Sequence, residues 1–237
     1  MTATTPQILG HRGSPRRARE NTVEAFALAR DDGADGVELD VHRSADGELV
    51  VHHDAELPGL GVLAEHPFGT IRELHPWVPT LTEVLEVCGG LLVNIEIKNS
   101  PDDADFDPAE SVADAVVARL RARGRRDRVL VSSFHLPSIA RVRTLAPEIA
   151  TGYLMVMKPS PQEAIDRALA DGHRAIHPFF GVLADQGAAT VVEAAHTVGV
   201  AVNTWTVNDP EEARRLAAAG VDAIITDVPA EIRAALA

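Results

Sequence analysis

The feature that most constrains how this chain folds is an end-to-end alternation of short β-branched runs with Ala-, Leu- and Arg-rich runs, broken at one place. The apolar runs are "QILGH", "GVELDV", "ELVVHH", "LLVNIEIK", "RVLVSS", "TGYLMV", "RAIHP", "GVAVNTW" and "DAIITD". Helical patterns stand between most of them, among them "TVEAFALARDDG", "LTEVLEVCGG", "AESVADAVVARLRARG", "SPQEAIDRALADG", "AATVVEAAHTVG", "DPEEARRLAAAG" and "PAEIRAALA". Several end in Gly, as helix C-termini do. Asn21, with Glu24 three residues on, reads as a helix N-cap with its capping-box acid. Strands alternating with helices over this length predict a parallel sheet with crossover helices. The break lies between "GVELDV" and "ELVVHH", which only "HRSADG" separates. A parallel crossover needs roughly a dozen residues or more. These two strands therefore form an antiparallel hairpin that turns at Asp46-Gly47. With that arm set aside, eight strands remain in a βα rhythm. The expected fold is a TIM (β/α)8 barrel with a β-hairpin arm on its second strand.

A chain of 237 residues suits one such barrel, so residues 1–237 are expected to form a single domain. Two segments fall outside the rhythm. Asn99 to Glu110, "NSPDDADFDPAE", is a polar acidic loop before a helix. Glu56 to Thr80 is the longest irregular stretch, and residues 55–80 are positioned to fold over the barrel mouth as a lid or insertion.

Barrels of this kind gather their chemistry at the C-terminal ends of the strands. The first strand ends in His11 and Arg12, the second carries Glu38 and Asp40, and the third carries Glu96 and Lys98. Side chains alternate along a strand. Glu38 and Asp40 therefore share a face opposite Val37, Leu39 and Val41, and Asn94, Glu96 and Lys98 share one opposite Ile95 and Ile97. The aliphatic sets must pack on helices, so the polar sets point into the barrel. Three converging carboxylates repel one another unless a cation joins them. An all-oxygen set suits one hard divalent cation, Mg2+ or Ca2+. If the hairpin reverses near Asp46, residue 40 lies opposite about residue 52, and His53 and Asp54 return to the level of Glu38 and Asp40. His11 and His53 then flank the metal, with Arg12 and Lys98 adding positive charge. That constellation is a chemistry for phosphodiesters. The cations neutralise non-bridging oxygens, and one imidazole takes a proton from the nucleophile while the other gives one to the leaving alkoxide.

The formal net charge of −13 argues against nucleic acid or an anionic membrane as a general partner. An anionic substrate then needs a local cationic pocket or a bound metal. Cys88 is the only cysteine, which excludes an intrachain disulfide and suits a reducing compartment. "MTATTPQILGHRG" lacks the basic and apolar regions of a signal peptide, and no run is long enough for a spanning helix. The expectation is a cytoplasmic protein with no stable membrane anchoring; nothing in the sequence sets its oligomeric state.

"GHRG", "EN-T", "GADGVELDV", "S-ADG-ELVVHHD", "VPTLTEVLE", "NIEIKN", "SSF" and "NTWTVNDPEEARRLAAAGVDAIITDVP" stand in this order over nearly the whole chain. Together they resemble the glycerophosphodiester phosphodiesterase family, above all its short bacterial cytoplasmic members. The resemblance implies a TIM barrel, with His11 and His53 as catalytic histidines and Glu38, Asp40 and Glu96 as metal-binding acids. It implies that Arg12 and Lys98 contact phosphate and that Trp205 lines the substrate pocket near the glycerol. The small-molecule substrate would be a glycerophosphodiester, cleaved to sn-glycerol 3-phosphate and an alcohol. The metal would also bind the glycerol hydroxyl and a phosphate oxygen. Either the glycerol 2-hydroxyl attacks phosphorus to give a cyclic phosphate, or water attacks directly. The chain departs from the family at Arg19, where Pro often precedes "ENT", and at "AELPGLG", where a Thr- and Arg-rich run often follows "HD". Two rival readings are a related barrel phosphodiesterase acting on lysophospholipids and a non-catalytic glycerophosphodiester-binding module.

Other polar residues read as structural. His42 and His52 are taken as outer or hairpin residues of the wrong parity for the site, and Glu48 as surface charge. Glu20 is read as favouring a helix N-terminus, and His177 as a structural strand-end histidine. Arg119 to Arg128 reads as a solvated basic helix end, and Cys88 as a packed thiol. Asp54 either orients His53 or supports the hairpin.

Overall fold

A computed structural model describes residues 5–124 and 128–237. Its first strand, β1 (Gln7–His11), pairs in parallel with β2 (Gly36–Arg43) on one side and with the last strand, β11 (Ala223–Thr226), on the other. That double pairing closes the sheet. Between them run β6 (Leu92–Ile97), β7 (Arg128–Ser133), β8 (Ala150–Met155), β9 (Ala175–Pro178) and β10 (Ala201–Thr204), each parallel to its neighbours. The ring holds eight parallel strands among the described residues, the barrel that the βα rhythm predicts. β3 (Leu49–Val51) is the hairpin arm, antiparallel to β2 with Val41 opposite Val51 and Arg43 opposite Leu49. The His52 N–H continues this ladder to the Asp40 carbonyl at 3.2 Å, the expected register. Ser44 to Gly47 make the turn, with Gly47 in the left-handed region at φ 86°.

Helices α1 (Val23–Asp31), α3 (Leu81–Val87), α4 (Ser111–Arg123), α5 (Leu136–Leu145), α6 (Pro161–Asp171), α8 (Ala188–Thr197), α9 (Pro210–Ala219) and α10 (Pro229–Leu236) cover the sheet, with short helices α2 (Phe68–Leu74) and α7 (Phe180–Gln186) between them. The apolar parity set behaves as expected. Val37, Leu39 and Val41 pack with Phe26, Leu81, Val84 and Val116 in the sheet–helix layer. Ile8, Ile176, Val202 and Ile224 do the same against Ile165, Val192, Leu216 and Ile232. Inside the ring a small apolar plug of Leu9, Ala223 and Ile225, with Leu92 and Trp205, supports the polar layer above it.

Three expectations need correction. Glu56 to Thr80 is not irregular: β4 (Glu56–Leu57) pairs with β5 (Gly61–Val62), a 3-10 turn spans Leu63–Glu65, and α2 follows. Leu57, Leu63, Ile71 and Val78 bury a core of their own against Val50 of the arm. The N-cap of α1 is Thr22, whose hydroxyl accepts from the Ala25 N–H. Asn21 stands at φ 55° and serves the barrel mouth instead. The third is α5, a helix in "HLPSIARVRTL" that the periodic runs did not single out; its buried set, Ser138, Ile139 and Val142, is small. In the basic run, α4 ends at Gly124 with Arg121 and Arg123 in its last turn. Arg125 to Asp127 lie outside the described residues, as do residues 1–4 of the N-terminal stretch. Among the described residues, no helix is long and apolar enough to cross a membrane.

Candidate active site

The site begins where β1 ends. After His11 the chain turns through Arg12 at φ 56° and Gly13 at φ 90°. A Cβ on Gly13 would sit 2.5 Å from the Ala25 carbonyl carbon, so only glycine fits. The Arg12 N–H donates to the Glu38 carbonyl at 2.9 Å and to its carboxylate at 3.2 Å. Asn21 donates its N–H to the Arg12 carbonyl at 3.0 Å and its side-chain amide to Asp40 Oδ2 at 2.8 Å. Two non-glycine residues in the left-handed region are costly, and both point polar groups at one carboxylate cluster.

That cluster is Glu38, Asp40 and Glu96, whose oxygens lie within 4.8 Å of one another. The β2–β6 ladder places Asp40 beside Glu96 and Glu38 beside Asn94. All three acids are buried. Arg12 Nε stands 3.2 Å from Asp40 Oδ2. Lys98 Nζ stands 2.9 Å from Glu96 Oε1 and 3.6 Å from Asp40 Oδ1. Burial, then the neighbouring Asp40 charge, pushes the Glu38 carboxyl up to about 8. Burial also raises Glu96. Asp40 feels the same burial, yet Lys98 and Arg12 hold it below the usual carboxylate range. Burial opposes the Lys98 charge, but Glu96 and Asp40 outweigh it and raise its pKa. Among the described residues, Asp40 Oδ1 is buried with no hydrogen-bond partner. Three convergent carboxylates, one with an orphaned oxygen and one that burial has driven towards protonation, fit a hard divalent cation.

His11 Nδ1 lies 2.7 Å from Asp227 Oδ1, and its Nε2 lies 3.9 Å from Glu38. Burial lowers the His11 pKa, but the Asp227 hydrogen bond and the Glu38 charge more than offset it, and the net shift is upward. Asp227 is itself fixed by Asn208, which donates from Nδ2 at 2.6 Å and accepts the Asp227 N–H at 2.8 Å. Sequence reasoning missed both residues. The available signal was an acid just after the last strand, which barrel closure sets beside the first. On the other wall, His53 Nδ1 lies 2.7 Å from Asp54 Oδ1, so Asp54 orients His53.

His11, Arg12, Glu38, His53, Glu96, Lys98 and Trp205 line one cavity of about 230 Å³, together with Asn94, Phe134, Leu154 and Ile225. A wider, open groove of about 690 Å³ shares His53 and Lys98 with it and runs out between residues 54–61 and Asp102–Ala104. Trp205 donates its indole N–H to the His177 carbonyl at 2.7 Å and meets Phe134 edge-on at 5.6 Å. Its ring thus forms an apolar wall opposite the charged one.

A profile of the Glycerophosphoryl diester phosphodiesterase family matches residues 11–231, a span that takes in every one of these side chains. The chain belongs to that family. It is 32% identical to a glycerophosphodiester phosphodiesterase of Caldanaerobacter subterraneus subsp. tengcongensis, over 94% of each chain. The fold overlays on a glycerophosphodiester phosphodiesterase of Thermotoga maritima with a TM-score of 0.81, 31% identity and 96% of each chain covered. It overlays on an Oleispira antarctica phosphodiesterase, solved with its product sn-glycerol-3-phosphate, with a TM-score of 0.85 and 28% identity, covering 98% of this chain and 97% of that one.

In this member of the phosphodiesterase family, seven of the eight expected site residues line one cavity, and the eighth, Asp40, joins Glu38 and Glu96 in the carboxylate cluster. Several residues expected to be structural do more. His42 is not an outer residue. It shares the alternation of Glu38 and Asp40, so it points inward, and it is 1% exposed. Its Nδ1 meets Asp105 at 2.7 Å and its Nε2 meets the His53 carbonyl at 3.1 Å. Glu20 does not favour a helix N-terminus. It accepts from Arg12 Nη1 at 3.0 Å and holds that guanidinium against Asp40. Glu48 pairs with Arg119 at 2.9 Å rather than standing free. His52 packs on Trp77, over which the departing Arg19 also stacks at 4.2 Å. His177 stays inside the barrel, fully buried, with Asn203 donating to its Nε2 and burial pulling its pKa down to about 3.

Proposed function

We propose that the protein hydrolyses glycerophosphodiesters to sn-glycerol 3-phosphate and a free alcohol such as choline, ethanolamine or glycerol. The observation that carries this reading is a single cavity lined by His11, His53, Arg12, Lys98 and the rim of a buried carboxylate trio. The product named for the Oleispira antarctica neighbour supports it. Glu38, Asp40 and Glu96 would hold one Mg2+ or Ca2+, which when bound supplies charge neutralisation at the phosphate and lowers the pKa of a hydroxyl. Arg12 and Lys98 face the non-bridging oxygens. Trp205, Phe134 and Leu154 give the glycerol carbons an apolar wall. His11, steadied by Asp227, takes the proton of the attacking hydroxyl, whether the glycerol 2-hydroxyl or water. His53 stands where the enclosed cavity opens into the groove, so it gives its proton to the oxygen of the departing alcohol. If a cyclic phosphate forms first, the two histidines exchange these roles when water opens it.

We take residues 1–237 as one catalytic domain whose 55–80 segment supplies the outer wall of the groove. Asp54, Glu56, Asp102 and Asp103 border that groove, a poor lining for the acyl tail of a lysophospholipid. Among compartments, the lone buried Cys88 suits the cytoplasm. The test is release of sn-glycerol 3-phosphate from a panel of diesters, with EDTA and with added Mg2+ or Ca2+. Turnover of glycerophosphocholine that EDTA abolishes and a divalent cation restores is the expected result. Turnover insensitive to EDTA, or confined to lysolipids, would overturn it.

A further inference from the structure

His53 stands just past the last rung of the hairpin. β3 ends at Val51, and the His52 N–H to the Asp40 carbonyl is the final ladder bond. Asp54 orients the His53 imidazole, but its side chain is 72% exposed, and among the described residues its carboxylate hydrogen-bonds to His53 alone. The His53 backbone is instead held through its carbonyl, which accepts from His42 Nε2 at 3.1 Å. His42 in turn gives its Nδ1 to Asp105 Oδ2 at 2.7 Å. Both side chains of this pair are nearly sealed, at 1% and 3% exposure. A buried pair of this kind is seldom worth more to stability than apolar residues of the same size, so its value lies in geometry. The loop that carries Asp105 is fixed at both ends. Asn99 exchanges two hydrogen bonds with the Asp107 backbone, at 2.8 and 2.9 Å. Glu110, at φ 60°, accepts from the Ser138 hydroxyl at 2.6 Å and faces His135 Nε2 at 3.2 Å. A continuous set of contacts thus runs from α5 through the loop to the His53 carbonyl. Neither Asp105 nor His42 lines the cavity or the groove.

We propose that Asp105, acting through His42, is a positioning residue for His53: it locks the His53 carbonyl and with it the place where this imidazole meets the leaving oxygen. The proposal rests on the reading of His53 as proton donor. A displacement of about 1 Å in a reacting group costs about 10²-fold in rate. The test compares wild type, Asp105→Ala, Asp105→Asn and His53→Ala as full chains, on glycerophosphocholine and on a glycerol p-nitrophenyl phosphodiester. Nitrophenoxide departs without a proton, so a defect in proton donation spares that substrate. Asp105→Ala is expected to lower kcat on glycerophosphocholine by about 10²-fold, leaving KM and the cation concentration for half-maximal rate unchanged. In the single-turnover release of nitrophenoxide, which precedes any opening of a cyclic phosphate, most of the loss vanishes. Asp105→Asn keeps an acceptor in place and shows the same leaving-group selectivity at about a 10-fold loss. This variant decides the matter should Asp105→Ala not fold. Unimpaired Asp105 variants beside a crippled His53→Ala would overturn the positioning role alone. So would an equal loss in the single-turnover release of nitrophenoxide, or a loss that saturating cation repairs. A His53→Ala protein that turns over glycerophosphocholine like wild type would overturn the reading of His53 on which the proposal rests, and the proposal with it.

Discussion

Single residues here act in pairs. The inward direction of Glu38, Asp40 and Glu96 follows from alternation along one strand, and so does that of His42, which falls on the same even-numbered face. Their partners do not follow from any local pattern. Asp227 is 216 residues from His11 along the chain yet 2.7 Å from its ring. The Asp227 hydrogen bond raises the His11 pKa against burial, so His11 keeps its proton to higher pH than a free imidazole. If neutral His11 is the base, the acid limb of the kcat/KM profile lies above the ordinary histidine pKa. Asp227→Asn removes that support and should move the limb to lower pH while cutting the rate by about 10²-fold; a pH–rate series on both proteins measures it. Asn21 combines a left-handed backbone with a bond to Asp40. Asn21→Ala should cost about 1–2 kcal/mol from strain and the lost bond. Asn21→Gly, which relieves the strain, should recover part of that in urea unfolding.

At the scale of elements, the short "HRSADG" connection made the hairpin unavoidable, and the register that brings residue 52 opposite residue 40 followed from its turn. Helix α5 and the folded segment after the arm were less legible. The elements of that segment are short, and Leu57, Leu63, Ile71 and Val78 find their core against Val50 of the arm, a contact that no local pattern announces. The interior polar layer also depends on a close fit between strands. A Cβ on Gly152 of β8 would stand 2.4 Å from His177 Nε2 on β9. Gly152→Ala should therefore destabilise the barrel by about 1–3 kcal/mol, and Gly152→Ala combined with His177→Ala by less than the two changes summed. A double-mutant cycle by denaturant unfolding reads this coupling.

At the scale of the whole molecule, the buried carboxylates link stability, pH and metal. Glu38 carries a folded pKa of about 8 against an ordinary 4.5. A pKa raised on folding contributes stability that is fully present below the ordinary value and lost as pH rises through the folded one. Cation-free protein should therefore melt at progressively lower temperature from about pH 5 to pH 8. A divalent cation, which takes the ionised carboxylate, should flatten that slope and release a proton on binding. Thermal scans with EDTA and with Mg2+ or Ca2+ test the first, and calorimetry in buffers of different ionisation enthalpy tests the second. A slope that Glu38→Gln leaves unchanged would assign it to other groups. The sequence by itself determined the eight-fold βα rhythm, the hairpin arm and the inward face of each acid, because connection length and strand parity are local properties of the chain. Tertiary structure alone decided that Asp227 steadies His11, that Glu20 holds Arg12, and that Asp105 reaches His53 through His42. Those pairings arise from closing the ring and seating loops on it, where distance in space no longer follows distance along the chain.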